Sequence, residues 1–551
     1  MKNETKGMKR IYLILIIGLL TLKGYSQQGE WTWMNGSNVN DAPVWGTQGA
    51  FDPANTPIGL YEACQWTDLN GKFWLYGGLD SGTFNQYSDL WEFDPAINQW
   101  AWIKGPGVVQ EFPVYGVQCV PSPANTPGAR AFGVATWVDN DNNLWLFGGL
   151  NNQWAGVFGD LWKYDIASNE WTWMKGPQGF NYSNGVYGAQ GIPDTANFPP
   201  ARSETNATWT DSLNNLWLFG GDSYWGAHND LWRYNIATNT WTWIKGPNTV
   251  SDAGHWGTLG IPDTANNPSS RLVYAKWKDH EGNFWLFGGA NNGSNTLGTY
   301  EDLWRYNPAT NVWTWMSGLN SLSFPGYANG YCTPSTQNKP PGRFENRACF
   351  QTYCNSDHFQ FFGGGYDINA SGKYNDLWDY DVSTNKWTFI NGSMTLNQPS
   401  VYGIRTVSSP ANQPGSKMGS IGWVDPVTQN FWLFGGIVHW PGNHVNEMWR
   451  FVPDTACSLL CNSITGIKET NKYKVEISLF PNPNNGRFTL SQLEIRNYEI
   501  RIYDILGQEV YTQAIINQQS STINVSQLSN GIYFYQLTNG RETYRGKFIK
   551  Q

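Results

Sequence analysis

One phrase returns along most of this chain and limits what it can fold into: a short apolar run ending in paired glycines, then an Asp-Leu-Trp segment, then a Trp-rich segment. Its clearest copy reads LWLFGG at residues 216–221 and NDLWRYNIATNTWTWIKGP at residues 229–247. Self-similarity at a fixed period marks an array of like units, so 551 residues need not mean several unlike domains. The glycine pairs begin at Gly77, Gly148, Gly220, Gly288, Gly363 and Gly435, spaced 71, 72, 68, 75 and 72 residues apart.

Each unit offers four short strands. Strand A ends at Trp66, Trp137, Trp209, Trp277, Phe350 or Trp423, strand B ends at the glycine pair, strand C carries the DLW motif and strand D reads WTWIKG or a close variant. A Trp follows the Tyr or Phe of strand C at a constant distance of seven, as from Tyr234 to Trp241, which requires the same hairpin each time. Four strands per unit, repeated in series, describe the blades of an all-β propeller. Only 14% of residues are charged and 16% are aromatic, with 32 Trp and 60 Gly, a composition that suits short aromatic strands and glycine turns. The sixth unit stops after strand C at Phe451, while residues 30–34 (EWTWM) form a strand D with no unit of their own. The reading is therefore six blades, the first strand of the chain completing the last and leaving no raw sheet edge.

The glycine pair after an apolar strand, followed by the Tyr and then the Trp, resembles the kelch family and its galactose-oxidase-like relatives over roughly residues 30–456. Kelch units run to roughly 50 residues; these are longer, and the surplus lies in the D-to-A connections. The resemblance implies the propeller fold and leaves the activity open, since that fold hosts unrelated chemistries.

Lys2, Lys6, Lys9 and Arg10 precede an apolar run at residues 11–22 and small residues up to Ser26, so residues 1–26 read as a signal peptide. The run is shorter than the roughly 20 residues that span a bilayer, so no transmembrane anchor is expected in the mature chain, and no Cys follows it to carry lipid. The propeller is placed at 27–457 and a linker at 458–472. Residues 473–551, with LFPNPNNGRF, IYDILGQEV and INVSQLSNGIYFYQL ahead of a basic end, resemble the type A C-terminal sorting domain of the Bacteroidetes type IX secretion system. That resemblance implies an Ig-like β-sandwich, contact with the secretion machinery, and passage through the periplasm to the medium or outer-membrane surface. Seven Cys would then meet an oxidising compartment; Cys349 with Cys354, or Cys457 with Cys461, are spaced to pair, and the odd total leaves a thiol over. The net charge of −8 with no basic run argues against nucleic acid as a partner.

Most Trp have a place in the repeat and belong to the core. Trp154, Trp225 and Trp440, in the B-to-C loops, do not, and they are the candidate ligand-binding rings, with His228 and His439 beside two of them. Arg130, Arg202, Arg271, Arg343 and Lys417 begin the inner strands and are expected either as a ring of cations at the funnel mouth or as structural ion pairs. No nucleophile elbow, phosphate loop or zinc motif is present, and the copper ligands of galactose oxidases find no matching set. No catalytic residue, metal ligand or cofactor is therefore assigned. His439, His444 and Glu447, and the pairs Arg202 with Glu204 and Arg343 with Glu345, are the weaker candidates for metal or acid–base chemistry. The leading expectation is a binding module for a glycan or another surface macromolecule. The alternative is a carbohydrate-active enzyme of galactose-oxidase-like or sialate-modifying type sited in the same funnel.

Overall fold

The computed structural model describes residues 29–37, 42–80, 84–151, 156–180, 183–272, 275–291, 298–352, 357–367, 371–439, 443–453, 478–480, 484–491, 498–504, 508–515, 520–538 and 543–550. Every regular element among them is a β-strand. Two compact units divide the chain, Met1–Ile464 and Thr465–Gln551.

In the first unit the A to D strands of each repeat pair antiparallel into one sheet. Sheet 1 contains Cys64–Thr67, Phe73–Tyr76, Leu90–Asp94 and Gln99–Lys104, with Phe51–Asp52 added at its outer edge. Sheet 2 contains Ala135–Val138, Asn143–Phe147, Leu161–Asp165 and Glu170–Lys175. Sheet 3 contains Thr208–Thr210, Asn215–Ser223, Gly226–Asn235 and Thr240–Lys245. Sheet 4 contains Ala275–Lys278, Phe284–Phe287, Leu303–Asn307 and Val312–Ser317. Sheet 5 contains Cys349–Gln351, His358–Gly365, Lys373–Asp381 and Lys386–Asn391. Sheet 6 contains Ile421–Val424, Phe431–Phe434 and Met448–Val452, and its fourth strand is Glu30–Asn35 from the start of the chain. Trp31 lies opposite Phe451 and Trp33 opposite Trp449, as the orphan strand requires.

The paired glycines explain how one sheet meets the next. All twelve adopt positive φ, from 64 to 114°, a region that costs an L-residue side-chain clash. The second glycine of each pair donates its N–H to the next sheet: Gly78 to Arg130 O (3.0 Å), Gly149 to Arg202 O (2.9 Å), Gly221 to Arg271 O (3.2 Å), Gly289 to Arg343 O (2.9 Å) and Gly364 to Lys417 O (2.9 Å). The series returns on itself, with Gly436 donating to Leu60 O of sheet 1 at 2.9 Å. A Cβ on the first glycine would sit against the same neighbour, 2.5 Å from Arg130 O at Gly77 and 2.4 Å from Arg202 O at Gly148. The innermost strands accordingly neighbour one another in cyclic order, strand A of sheet 6 against strand A of sheet 1.

The long D-to-A connections are ordered tiles because one Asn in each is spent on backbone. Nδ2 of Asn55, Asn125, Asn197, Asn266 and Asn338 donates to the carbonyl of the first strand-D Trp of its own repeat, at 3.0, 2.9, 3.3, 3.1 and 2.8 Å. The sixth, Asn412, reaches Trp31 O at 3.1 Å, so the tile treats the N-terminal strand as its own strand D. The constant C-to-D spacing has an equally local cause: Asn98, Asn169, Asn239, Asn311 and Asn385 hold φ of 53–57°, and Tyr234 Oη donates to Asn239 Oδ1 at 2.9 Å within that turn. The Trp expected in the core are there; Trp145, Trp232, Trp285 and Trp304 are wholly buried between adjacent sheets.

The second unit has two sheets, one of Ser478–Phe480, Arg487–Ser491 and Ser520–Asn524, the other of Glu509–Ile515, Tyr498–Tyr503, Gly531–Thr538 and Thr543–Lys550. Alternate residues Ile500, Ile502, Tyr533 and Leu537 form its core with Phe488 and Phe548, as their period of two predicts. Residues 1–28 lie outside the described residues, and with them the signal peptide. One disulfide expectation needs correction: Cys349 is a free thiol, its Sγ 3.4 Å from Asn346 O, whereas Cys332 is the disulfide-bonded member.

Candidate functional site

Strands B and C of sheet 3 run on past the glycine pair as a continuous hairpin whose two-residue tip is Tyr224-Trp225. Ser223 faces Gly226 across the turn; its hydroxyl donates to Gly226 O at 3.1 Å and accepts the Trp225 N–H at 3.2 Å. Gly226 holds φ of 129°, which lets the chain reverse within two residues. The two rings stand perpendicular, centroids 5.0 Å apart, and are 62% and 55% exposed. Large aromatic rings held out of the core on a rigid turn are a ready surface for the apolar faces of a ligand.

His228 does not share that surface. It is 3% exposed, with Nε2 2.9 Å from Ser223 Oγ, so it props the turn from below. Burial, with the nearby Arg202 charge, pushes it down to about 4, and it is neutral in ordinary buffers. Trp154 and Trp440 lie outside the described residues, and His439 is described only as part of the strand Ile437–His439. The structure thus places one of the three candidate rings at a solvent-facing tip and adds Tyr224, which the repeat pattern did not single out.

The inner-strand cations form clamps, and none of them opens to solvent. Arg130, Arg202, Arg271 and Arg343 are fully buried, each forked onto the Asp that opens strand C of its own sheet. The two N···O distances are 2.8 and 3.1 Å to Asp160, 2.6 and 2.9 Å to Asp230, 2.7 and 2.8 Å to Asp302, and 2.7 and 2.8 Å to Asp376. Lys417 makes the equivalent buried pair through a single contact, Nζ to Glu447 Oε1. A buried charge is retained only when paired and hydrogen-bonded. The funnel-mouth reading of these five cations is therefore replaced by the structural one. The pairs Arg202 with Glu204 and Arg343 with Glu345 do not form either, because both guanidinium groups are committed to strand C. Glu447 is likewise engaged by Lys417, while His444 is buried and stacked on Tyr61 with ring centroids 5.7 Å apart.

Two residues beyond Arg130, Arg202, Arg343 and Lys417, and beyond Leu60 at the same place in sheet 1, the chain turns at positive φ, at Phe132 (61°), Glu204 (55°), Glu345 (52°), Gly419 (62°) and Glu62 (53°). Backbone bonds link these turns from sheet to sheet: Glu62 N to Gly419 O at 3.0 Å, Gly419 N to Glu345 O at 2.9 Å and Glu204 N to Phe132 O at 2.9 Å. Glutamates from sheets 1, 3 and 5 thus face a common interior, joined by the buried Arg347, whose Nη1 is 3.6 Å from Glu62 Oε2. Burial raises all three carboxyls, and mutual repulsion pushes Glu204 and Glu345 up further.

Comparison with known proteins bears on both units. Residues 117–317 match the model of the KLHDC2/KLHL20/DRC7 Kelch-repeats domain, and residues 478–551 match that of the secretion system C-terminal sorting domain. The chain carries kelch repeats and a type IX secretion sorting tail. The kelch match covers sheets 2 to 4; the glycine and Asn contacts recur in sheets 1, 5 and 6, and the cation pair recurs in sheets 5 and 6. Multiple epidermal growth factor-like domains protein 8 of Homo sapiens is 26% identical over 295 residues, 52% of this chain and 8% of that protein. Its counterpart in Rattus norvegicus is 25% identical over 275 residues, 45% of this chain and 9% of that protein. An endo-acting ulvan lyase of Formosa agariphila is 31% identical over 75 residues, 13% of this chain and 14% of the enzyme. The matched stretches therefore span at most about a seventh of these relatives' own length.

The sorting tail makes this a secreted or cell-surface kelch protein. No helix among the described residues is long and apolar enough to cross a membrane. The interior glutamates of the kelch domain give a testable pH dependence. A carboxyl whose folded-state affinity for protons exceeds its unfolded one loses stability as pH rises from the unfolded value near 4.5 through the raised one, at up to about 1.4 kcal/mol per pH unit for each proton. Thermal melts from pH 5 to 8 should show that slope reduced in Glu204→Gln with Glu345→Gln. The reading is the parent-minus-variant difference, because His228 and His444, held neutral by burial, act in the opposite sense below about pH 6.5. Identical slopes in parent and variant would contradict the shared burial of these carboxyls.

Proposed function

We propose that this secreted kelch protein is a non-enzymatic binding module that recognises a glycan through the loop-bearing face of a closed six-bladed propeller, with Tyr224 and Trp225 as the central contacts. The observation that carries the reading is the exposed, perpendicular ring pair on the rigid turn of sheet 3. Sugars present apolar C–H faces, and Trp offers the largest ring to pack against them. The cyclic order of the six sheets and the return of the Gly436 N–H to Leu60 O support the closed propeller. Trp154 and Trp440, which stand after the glycine pairs of their own repeats in the sequence, are proposed as further contacts. The tail, residues 473–551, is read as an Ig-like sandwich that addresses the propeller, residues 27–457, to the secretion machinery. Glycan-array and cell-wall pull-down experiments with the mature protein test the reading: binding should fall at least tenfold in Tyr224→Ala with Trp225→Ala while the melting temperature stays within about 2 °C, as surface changes do. Undiminished binding by the folded double variant would place the site elsewhere.

A further inference from the structure

The sorting tail has two outer faces of different character. An antiparallel sheet packed on one side turns apolar side chains inward and polar ones out, and the three-stranded sheet obeys that rule. Phe488, Leu490 and Ile523 are buried there, while Arg487, Thr489, Thr522 and Asn524 alternate with them on the outer side, the Thr489 and Thr522 hydroxyl oxygens 3.3 Å apart. In the four-stranded sheet the inner side is as apolar, with Ile500, Ile502, Tyr533, Leu537 and Phe548 in the core, but the outer side is divided. Towards Glu509–Ile515 its charges are spent on one another, Arg501 Nη2 lying 3.0 Å from Glu499 Oε2 and Nη1 3.5 Å from Glu509 Oε2. Towards the last strand it is apolar: Ile532, Phe534 and Ile549 are 48%, 46% and 38% exposed. No other large apolar side chain among the described residues of this unit is as open to solvent.

These three side chains are neighbours across two strands. Ile532 stands directly opposite Ile549, and Phe534, two residues on and so on the same side, stands between Tyr503 of one adjoining strand and Lys547 of the other. Side chains so opposed are about 5 Å apart at Cβ. They join into one stripe, with the half-buried Tyr503 and the exposed Lys547 at its margin. A contiguous apolar patch rimmed by polar groups marks a contact with another macromolecule. The family of this unit says which: residues 478–551 match the secretion system C-terminal sorting domain, a unit whose task is to be recognised during export. Recognition surfaces bury an apolar centre with aromatic anchors inside a polar rim, and Phe534 supplies that anchor here.

We propose that Ile532, Phe534 and Ile549 form the surface by which the secretion machinery holds the tail, through a protein partner that is apolar at its centre and neutral or acidic where it meets Lys547. The full-length chain, produced in a Bacteroidetes host with an active type IX system, tests it by the ratio of exported to periplasmic protein. Ile532→Ser with Phe534→Ser should lower that ratio about tenfold or more, as loss of interface anchors does, and Ile549→Ser on the adjoining strand should lower it too. The purified variants should melt within about 2 °C of the parent, because only surface side chains change; should one variant not fold, the other decides. Thr489→Ala with Thr522→Ala, on the polar outer face, should be exported like the parent, and so should Phe534→Leu, which keeps the stripe apolar. Undiminished export of the folded stripe variants overturns the proposal, as does an equal loss of export in the Thr489 and Thr522 variant. A fall in melting temperature with normal export would place the stripe against the kelch domain, and loss of a dimer in light scattering with normal export would place it against a second copy; either result overturns the proposal as well.

Discussion

Deleting residues 30–36 from the mature chain should lower the melting temperature by roughly 10 °C or more, although the deletion removes only the first strand. That strand is the outer strand of sheet 6, with Trp31 wholly buried against Phe362 and Phe451 at centroid distances of 5.4 and 5.0 Å. Trp31 also ties sheet 6 to sheet 5, donating its indole N–H to Asn391 Oδ1 at 3.1 Å. Trp33 packs on Tyr402 at 5.1 Å, and Asn412 loses one of its two carbonyl acceptors when Trp31 O is gone, keeping Val407 O. Truncating one such ring in a packed core costs about 3–5 kcal/mol, so Trp31→Ala alone should account for a large part of the loss. The deletion also exposes the whole edge of Met448–Val452, an unpaired strand of the kind that templates aggregation. Differential scanning calorimetry with light scattering checks both effects. An unchanged melting temperature would contradict the closure of sheet 6 by the N-terminal strand.

The second large effect is expected at a clamp. Arg202→Met leaves Asp230 buried with only the Tyr187 hydroxyl (2.7 Å) and the Trp232 indole (2.8 Å) to hold its charge, and breaking a buried pair from one side costs about 3–5 kcal/mol. In the parent, Arg202 holds the Asp230 carboxyl well below its usual range, so the clamp is intact above pH 4 and lost only in strong acid. In the variant the sign reverses: burial without the cation raises Asp230, and stability should improve as pH falls from 7 toward 4. Adding Asp230→Asn should restore part of the loss, because the neutral amide removes the uncompensated charge. Chemical denaturation at pH 4 and 7 separates these outcomes, and a variant whose stability matches the parent at pH 7 would show that the clamp does not hold strand A to strand C.

The sheets, and the completion of sheet 6 by the N-terminal strand, were legible because each depends on a local signature that recurs. A glycine pair needs positive φ, an Asn turn fixes the seven-residue spacing, and the unmatched EWTWM strand had one place left to pair. The clamps were half legible. The cations stood out at the start of strand A, but their acids lie about 30 residues on in strand C, whereas Glu204 and Glu345 stand only two residues along the chain from Arg202 and Arg343. A signal was present within the repeats, since Lys417 replaces Arg where Glu447 replaces Asp, and only sheet 1 has the acid without the cation. The interior glutamates could not be read as a group, because nothing in a one-dimensional pattern says that the turn residues of alternate sheets face a common interior. Trp225 was legible as a Trp without a role in the repeat. Tyr224 was not, since its exposure depends on strands B and C of sheet 3 continuing past their glycines to a two-residue turn.

The most direct test of the central claim is a binding isotherm on the strongest glycan-array ligand, measured by calorimetry for the parent, for Tyr224→Ala with Trp225→Ala, and for Ser223→Ala, which disturbs the turn but keeps both rings. The account predicts an affinity loss of at least tenfold for the ring variant and an intermediate loss for Ser223→Ala, with melting temperatures near that of the parent. Three superimposable isotherms from folded proteins would contradict it.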